Sequence, residues 1–249
     1  MPNTHPKIVI IGATSAIAEH CARWWVSDSP VCLVLVGRNE TKLNCIAADL
    51  RLRSPQSDIT TQKAHFTDPT SITQLVEGIV ATGRVDTVLI AHGSLPDQAL
   101  CQKNLHTVHD TLLLNGTSPV LFAEAFAGHM QQAQSGTLAI ISSVAGDRGR
   151  KSNYVYGAAK GLITRYAQGL QHRLAKTGVR VVIIKPGPTN TPMTAHMNQD
   201  RMANVALVSK LIVKGIKQGK PIVYVPRKWS LVMLIIRCLP NFVFHKMDI

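Results

Sequence analysis

Seven short apolar runs, separated by stretches with helical spacing, constrain the fold of this chain most strongly. The runs are rich in valine and isoleucine, as residues 179–184 (VRVVII) illustrate. Runs of this kind are typical of strands buried on both faces, and their alternation with helices predicts parallel pairing through crossover helices. We therefore predict an α/β fold with one doubly wound parallel sheet. The predicted strands are residues 7–11, 31–36, 59–64, 85–91, 137–142, 179–184 and 222–225.

Three of the intervening helices can be placed from the sequence. Asp68 and Pro69 have the composition of an N-cap and a first helical residue, which predicts a helix to about residue 82. One long helix is predicted from about residue 103 to 130, and it contains Asn115 as either a satisfied structural group or a functional one. A third runs through Tyr156 to about residue 176.

Residues 141–162 contain the side chains best suited to chemistry. Ser143 precedes Tyr156 by thirteen residues, and Lys160 follows Tyr156 by four. Residues four apart on a helix project from the same face, so Tyr156 and Lys160 are expected to converge. A phenol has a pKa of about 10, and because a nearby cation favours its ionised form, we expect Lys160 to lower the pKa of Tyr156.

With Ser143 as a hydrogen-bond partner for a substrate oxygen, this group is suited to moving a proton on or off an alcohol or carbonyl. Tyr-x-x-x-Lys alone is a weak motif, however. The alternative is an amphipathic helix with Tyr156 packed in the core and Lys160 in solvent.

A possible nucleotide site lies at the first turn. The run at residues 7–11 leads into Gly12-Ala13-Thr14-Ser15-Ala16-Ile17-Ala18 and then into a helical pattern. The N-terminus of a helix offers free N–H groups and a positive dipole end, which suit a pyrophosphate. The full G-x-G-x-x-G fingerprint is absent, so a plain strand-turn-helix without ligand stays open.

Arg38 follows the second predicted strand, where a dinucleotide fold meets the adenosine ribose. An acid there selects NAD, whereas an arginine accommodates the 2′-phosphate of NADP. Arg38 therefore predicts NADP(H) as cofactor, although Glu40 is close enough to pair with it. The alternative is a solvated loop arginine.

Taken together, these motifs resemble the short-chain dehydrogenase/reductase family over about residues 7–225. The resemblance implies a Rossmann fold, and the chain departs from the family at Ala16, Ala18 and residues 91–93, where glycines or asparagines are usual, and at His65, where the family has an acid. The residues that match cofactor-binding positions of the family are Gly12, Thr14, Ser15, Ala16, Ile17, Arg38, Asp68, Ala91, Gly93, Tyr156, Lys160, Pro186, Gly187 and Thr191.

The resemblance also implies roles for the catalytic residues. A hydride passes between the nicotinamide and a carbonyl or carbinol carbon, while Tyr156 acts as acid or base and Lys160 holds the ribose and lowers the tyrosine pKa. Ser143 positions the substrate oxygen, and Asn115 supports a proton relay. A homodimer or homotetramer formed through the helices of Asn115 and Tyr156 is implied as well.

Composition limits the other possibilities. Five scattered cysteines without Cys-x-x-Cys indicate neither a disulfide framework nor a metal site, so a reducing, cytoplasmic location is expected. The net charge is +13, and residues 126–249 hold eighteen Lys/Arg against three Asp/Glu. No nucleic-acid motif accompanies these cations, so we expect a phosphorylated substrate or an anionic membrane surface as the partner, and no nucleic acid.

The division into domains follows from where the resemblance ends. We predict a catalytic domain at residues 1–226 and a tail at 227–249. The tail combines a short apolar run with Arg227, Lys228, Trp229 and Arg237, which favours an interfacial anchor on the inner face of a membrane; packing over the core or a partner subunit is the alternative.

The turn at residues 12–18 and the segments 185–194 and 223–226 also look similar to a narrower branch, the decaprenylphosphoryl-2-keto-pentose reductases. This similarity implies a polyprenyl-phosphate-linked keto-sugar as the ketone. The alternatives are another lipophilic ketone, such as a 3-oxoacyl or steroid-like substrate, and a nucleotide-sensing binding protein without turnover.

Overall fold

A computed structural model describes residues 5–247 of the chain, apart from the side chain of Arg201. Its strands form one parallel sheet, as their register shows. The strands are β1 (Lys7–Ile11), β2 (Cys32–Gly37), β3 (Asp58–Lys63), β4 (Thr87–Ile90), β5 (Gly136–Ile141), β6 (Val179–Pro186) and β7 (Ile222–Val225). Their order across the sheet is β3-β2-β1-β4-β5-β6-β7, which confirms the predicted doubly wound sheet.

Alternate residues of each central strand pack into two separate cores. In β1, Ile8 and Ile10 belong to one core, and Val9 and Ile11 belong to the other. Burial on both faces explains why the strands appear in the sequence as continuous apolar runs.

Helices cover both faces of the sheet. The helices are α1 (Ala16–Asp28), α2 (Glu40–Arg53), α3 (Pro69–Ala81), α4 (Gln98–Lys103), α5 (Leu105–Leu112), α6 (Ser118–Gln132), α7 (Tyr154–Leu174), α8 (Val205–Lys217), α9 (Lys228–Cys238) and α10 (Asn241–Phe244). Buried residues of α1, α2 and α8 enclose one core, and those of α3, α6 and α7 enclose the other.

The single long helix predicted at residues 103–130 is wrong. The segment is divided into α4, α5, a π-helical turn at Leu113–Thr117, and α6. The side chain of Asp97 caps α4, and that of Asn104 caps α5 by accepting from the N–H groups of His106 and Thr107. Because Asn104 begins a new helix, the chain changes direction there.

The tail packs against the body of the protein. Met233 of α9 is fully buried, and a Cβ added at Gly187 would lie 1.9 Å from Nε1 of Trp229. Arg148 donates to the carbonyl oxygens of Ile236 and Leu239 at 2.5 and 2.7 Å. Its guanidinium also lies 3.8 Å from the centroid of the Phe244 ring. One face of α9 is therefore held on the fold.

The opposite face of the tail is exposed and apolar. Leu231, Leu234 and Ile235 follow helical spacing and are 61%, 51% and 55% exposed, and Phe242 continues the surface at 71%. No helix within residues 5–247 is both long and apolar enough to span a bilayer.

The topology also indicates where a ligand would bind, at the carboxyl ends of the central strands. The chain crosses from one side of the sheet to the other between β1 and β4, which pair with each other. Ligands of such sheets bind outside the carboxyl ends of the strands at this switch point.

Candidate active site

Two adjoining cavities open at the carboxyl ends of the central strands. The tyrosine cavity contains most of the predicted site residues in its wall: Ser15, Ile17, Ala91, Gly93, Asn115, Ser143, Tyr156, Pro186, Gly187 and Thr191. The glycine-turn cavity is lined by Gly12, Thr14, Ser15, Ala16, Ile17, Arg38, Gly93 and Thr191. Two of the predicted residues, Lys160 and Asp68, line neither cavity.

Tyr156 and Lys160 lie one turn apart on α7, as their spacing predicts. Lys160 is only 3% exposed, and its Nζ donates to the carbonyl oxygen of Ile141 at 3.1 Å. The same Nζ lies 5.7 Å from the centroid of the Tyr156 ring. The ammonium is therefore buried beside the phenol, behind the wall of the tyrosine cavity, and is not in solvent.

The pKa of Tyr156 differs from the sequence-based expectation. Burial raises it to about 12, although a hydrogen bond with Ser143 acts in the opposite direction. Burial likewise lowers the pKa of Lys160 to about 8. Desolvation of the phenolate therefore outweighs the opposing effect of Ser143 in this structure.

Ser143 begins the turn after β5. Its side chain caps that turn by accepting from the N–H of Ala145 at 3.1 Å, and its hydroxyl also hydrogen-bonds with Tyr156. The sequence places the two residues thirteen apart, and the fold brings their hydroxyl groups together at one wall of the tyrosine cavity.

Asn115 lies in the π-helical turn and is fully buried. Its Nδ2 donates to the carbonyl oxygen of Thr111 at 3.0 Å, and its Oδ1 accepts from the N–H of Ser94 at 2.8 Å. It therefore ties α5 to the loop after β4, and it also lines the tyrosine cavity. Single π-turns within helices are frequent at functional sites.

The glycine turn packs closely against the loop after β4. Gly12 has a φ of +87°, which favours glycine, and an added Cβ would lie 2.6 Å from the backbone nitrogen of His92. Ser15 precedes α1 without capping it through its side chain, so the first N–H groups of α1 have no side-chain acceptor. Arg38 adds a cation to the same cavity. An anionic dinucleotide fits this donor set.

The structure does not bring Asp68 to either cavity. Its carboxylate caps α3 by accepting from the backbone N–H of Ser71 at 2.7 Å and from the Ser71 hydroxyl at 2.5 Å. These hydrogen bonds hold the pKa of Asp68 below its usual range. The cap was expected from the sequence, whereas the structure supplies no contact for the cofactor role.

Several cavity residues were missed in the sequence analysis. His92 lines both cavities, and Leu95, Arg150, Asn153, Met193 and Met197 line the tyrosine cavity. Arg150 and Asn153 could have been noticed, because both fall within the interval between Ser143 and Tyr156. The methionines follow the proline-rich segment after β6, whose path the sequence did not indicate.

His92 belongs to a buried chain of hydrogen bonds. Ser118 donates its hydroxyl hydrogen to the carbonyl oxygen of Phe66, so its oxygen is left to accept from Nε2–H of His92 at 2.9 Å. Nδ1 of His92 is buried and has no hydrogen-bond partner among the residues that the structure describes. Burial is the main cause that lowers the pKa of His92 to about 3, and Lys160 and Arg38 add to it, so the ring is neutral.

The family of the chain can be identified once this geometry is known. The family model described as short chain dehydrogenase matches residues 6–202. The chain belongs to the short-chain dehydrogenase family. An uncharacterised oxidoreductase of Mycobacterium tuberculosis is 32% identical over 244 residues, covering 96% of each chain. Another, from Streptomyces coelicolor, is 29% identical over 241 residues, covering 97% of this chain and 95% of the relative.

Solved structures share the fold at low identity. A short-chain dehydrogenase of Sphingobium yanoikuyae in complex with NADPH is 22% identical, with a TM-score of 0.82 and coverage of 95% of this chain and 97% of the other. A single-substitution variant of the actinorhodin polyketide ketoreductase with NADPH is 20% identical, with a TM-score of 0.80 and coverage of 90% and 97%. These likenesses confirm the fold of this short-chain dehydrogenase.

No group of three or more His, Cys, Asp or Glu side chains within the described part of the chain is arranged to hold a metal ion.

The neutral state of His92 predicts an acid-sensitive fold. Between pH 6.5 and 3 the unfolded chain binds a proton at this histidine that the native chain does not, so stability falls as the pH falls. We expect His92 to account for about 2 kcal/mol of the loss in unfolding free energy between pH 7 and pH 5. Urea titrations of the protein and of His92→Gln should show this difference in pH dependence.

The matched control for that experiment is His109→Gln, which removes an exposed imidazole. It should keep the pH dependence of the unmodified protein. If His92→Gln lost as much stability between pH 7 and pH 5 as the unmodified protein, the neutral buried imidazole would be disproved.

Proposed function

We propose that this short-chain dehydrogenase reduces a ketone to a secondary alcohol with NADPH as the hydride donor. The observation that supports this most strongly is that Ser143 and Tyr156 share one cavity wall, with Lys160 buried behind it, directly beside a second cavity that suits an anionic dinucleotide. The same set could oxidise the alcohol, and an NADPH-rich reducing compartment favours reduction. The short-chain dehydrogenase and the ketoreductase whose structures are compared above contain NADPH.

The residues present fit the dinucleotide. The open N-terminus of α1, which follows the turn at Gly12 in the wall of the glycine-turn cavity, provides for the pyrophosphate, and Arg38 at the end of β2 provides for a 2′-phosphate. Pro186, Gly187 and Thr191 line the tyrosine cavity where the nicotinamide end is proposed to lie. When bound, the cofactor supplies the hydride that reaches the carbonyl carbon.

The side chains of the protein move the proton. Ser143 donates a hydrogen bond to the carbonyl oxygen, and Tyr156 transfers its hydroxyl proton to that oxygen as charge develops there. Lys160 is mostly an ammonium at pH 7, because its pKa of about 8 lies above that pH. It therefore stabilises the phenolate that the transfer leaves behind. Asn115 is proposed to hold a water molecule that returns the proton.

The tyrosine cavity favours a lipophilic substrate. Leu95, Val144, Met193 and Met197 give its wall an apolar character, and methionine adapts to varied shapes. A polyprenyl-phosphate-linked keto-sugar is our proposal for the substrate. Another lipophilic ketone would suit the same wall. A binding protein without turnover is the other alternative, but it would not account for the presence of Ser143, Tyr156 and Lys160 together.

We also propose that the tail rests on an anionic lipid surface in the cytoplasm. The apolar outer face of α9 and α10, formed by Leu231, Leu234, Ile235 and Phe242, is flanked by the exposed cations Arg227, Lys228, Arg237 and Lys246. Apolar side chains flanked by cations are typical of helices that lie in a membrane interface. A homodimer or homotetramer through α5, α6 and α7 is a further proposal, which rests on membership of the short-chain dehydrogenase family.

The proposed reduction is tested with Tyr156→Phe. We expect the variant to lose more than about 1,000-fold in kcat, because the proton donor is removed and the ring that packs in the site is kept. NADPH oxidation with lipophilic ketones measures turnover, and NADPH fluorescence measures binding, which should change less than about threefold. Tyr154→Phe, on the same helix but outside both cavities, is the control. Undiminished turnover in Tyr156→Phe would disprove the proposed chemistry.

Cofactor choice is tested at Arg38. Arg38→Ala removes the cation that is proposed to meet the 2′-phosphate, so we expect the Kd for NADPH to rise about 10- to 100-fold and that for NADH to change less than threefold. Fluorescence titration gives both constants. Arg165→Ala, which removes an exposed arginine of α7, serves as the control. Equal weakening of both nucleotides would contradict selection by Arg38.

Membrane attachment is tested with substitutions that leave the packed face of α9 intact. Replacing both Leu231 and Ile235 with serine should reduce sedimentation with vesicles of phosphatidylcholine and phosphatidylglycerol about tenfold, since exposed apolar area is lost. Serine at both Leu52 and Leu105, each 84% exposed elsewhere on the protein, is the control. Vesicle binding that is insensitive to the substitutions in α9, or no binding by the unmodified protein, would refute the proposed surface.

A further inference from the structure

The wall of the tyrosine cavity has a charge asymmetry. Among the described residues that line it, Arg150 is the only Arg, Lys, Asp or Glu, and no carboxylate is present. Its neighbours in the wall include the apolar side chains of Leu95, Val144, Met193 and Met197. The cavity that holds Tyr156 is therefore mainly apolar with one cation.

The side chain of Arg150 has no partner within the described residues. Its Nε is buried without a hydrogen-bond acceptor, and no ion pair or other hydrogen bond occupies its guanidinium. Burial lowers its pKa from the usual value, yet an arginine keeps its charge in proteins. A partly desolvated charge that lacks a counter-charge is costly to the fold.

Other partly buried arginines of this protein are satisfied. Arg23 pairs with both Glu19 and Asp49. Arg148, two residues before Arg150, donates to the carbonyl oxygens of Ile236 and Leu239. The lack of a partner at Arg150 is therefore not the general condition of arginines in this fold, and it occurs at the cavity wall.

A second polar group in the wall also lacks a partner. Oδ1 of Asn153, three residues after Arg150 and immediately before α7, is buried without a donor. A guanidinium forms paired hydrogen bonds with a carboxylate or a phosphate. An amide oxygen accepts a hydrogen bond from a hydroxyl or an amine. A substrate with an acidic group and a hydroxyl group would satisfy both residues.

We propose that Arg150 binds an anionic substituent, a carboxylate or a phosphate, of the ketone that Tyr156 reduces, and that it selects acidic ketones over neutral ones. This inference rests on the proposed ketone reduction. The apolar wall holds the carbon chain of the substrate while the guanidinium holds its charge, which fixes the distance between the charge and the reacting carbonyl. Asn153 contributes a second polar contact.

The test compares three ketones of equal chain length: a linear methyl ketone, its analogue with a terminal carboxylate and its analogue with a terminal phosphate ester. We expect the protein to reduce at least one anionic analogue with a kcat/KM about 10- to 100-fold above that of the neutral ketone. In Arg150→Gln this preference should disappear, mainly through KM, while the neutral ketone changes less than about threefold. The two anionic analogues distinguish carboxylate from phosphate recognition.

Two further variants separate recognition from structure. Arg150→Lys keeps the positive charge but lacks the planar set of N–H donors of a guanidinium, so it should retain part of the preference that Arg150→Gln loses. Arg165→Gln removes an equal charge from the exposed face of α7 and should leave the preference unchanged. Raising the salt concentration should reduce the preference in the unmodified protein. The Kd for NADPH should be the same in all variants, since Arg150 lies outside the glycine-turn cavity, where the charged phosphates of the cofactor are proposed to bind.

Binding without turnover keeps this inference distinct from the proposed function. Alkyl carboxylates and alkyl phosphates that lack a ketone should bind to the unmodified protein, by calorimetry, at least about tenfold more tightly than to Arg150→Gln. If no ketone is reduced while this difference persists, the proposed function fails and the anion site stands. Equal kcat/KM for neutral and acidic ketones, or a uniform loss for all of them in Arg150→Gln, would overturn the role of Arg150.

Discussion

The burial of Lys160 against the end of β5 is the contact on which the rest of the site depends. Its ammonium donates to the carbonyl oxygen of Ile141, and its own carbonyl oxygen accepts from the hydroxyl of Ser142 at 3.0 Å. The backbone of Lys160 is also approached by Gly146, where an added Cβ would lie 2.7 Å away. One residue thus fixes α7, the end of β5 and the turn that begins at Ser143, so the positions of the two hydroxyl groups are set together.

Much of the fold could be predicted because strands that are buried on both faces of a sheet appear in the sequence as continuous apolar runs. The run at residues 222–225 became β7 with unchanged bounds, and the cap at Asp68 opens α3 as expected. The break at Asn104 could not be predicted, since an asparagine within a helical pattern is equally compatible with a solvated position. The pKa of Tyr156 also depends on how deeply α7 is buried. The sequence indicates that Lys160 is near Tyr156, but it does not indicate how far the two side chains are removed from solvent.

The excess of cations in the second half has several structural uses that composition cannot separate. Lys185 is buried in an ion pair with Asp147, whose other oxygen accepts from the hydroxyl of Tyr224 at 2.7 Å. Arg148 holds the tail, and Lys217 pairs with Asp28 of the first half. Cations of this kind stabilise contacts between elements, and only those left without a partner are free to meet a ligand. A positive total therefore states little about function until each charge has been located.

The tail is attached to the same two segments that enclose the tyrosine cavity. Trp229 lies against Gly187 in one wall, and Arg148, which holds the end of α9, belongs to the loop that joins Ser143 to Arg150 in the other. A ligand on the outer face of α9 that moves the helix has to displace Trp229 or release Arg148. The tail therefore contributes to the shape of both walls, because α9 cannot move as a unit without changing these two contacts.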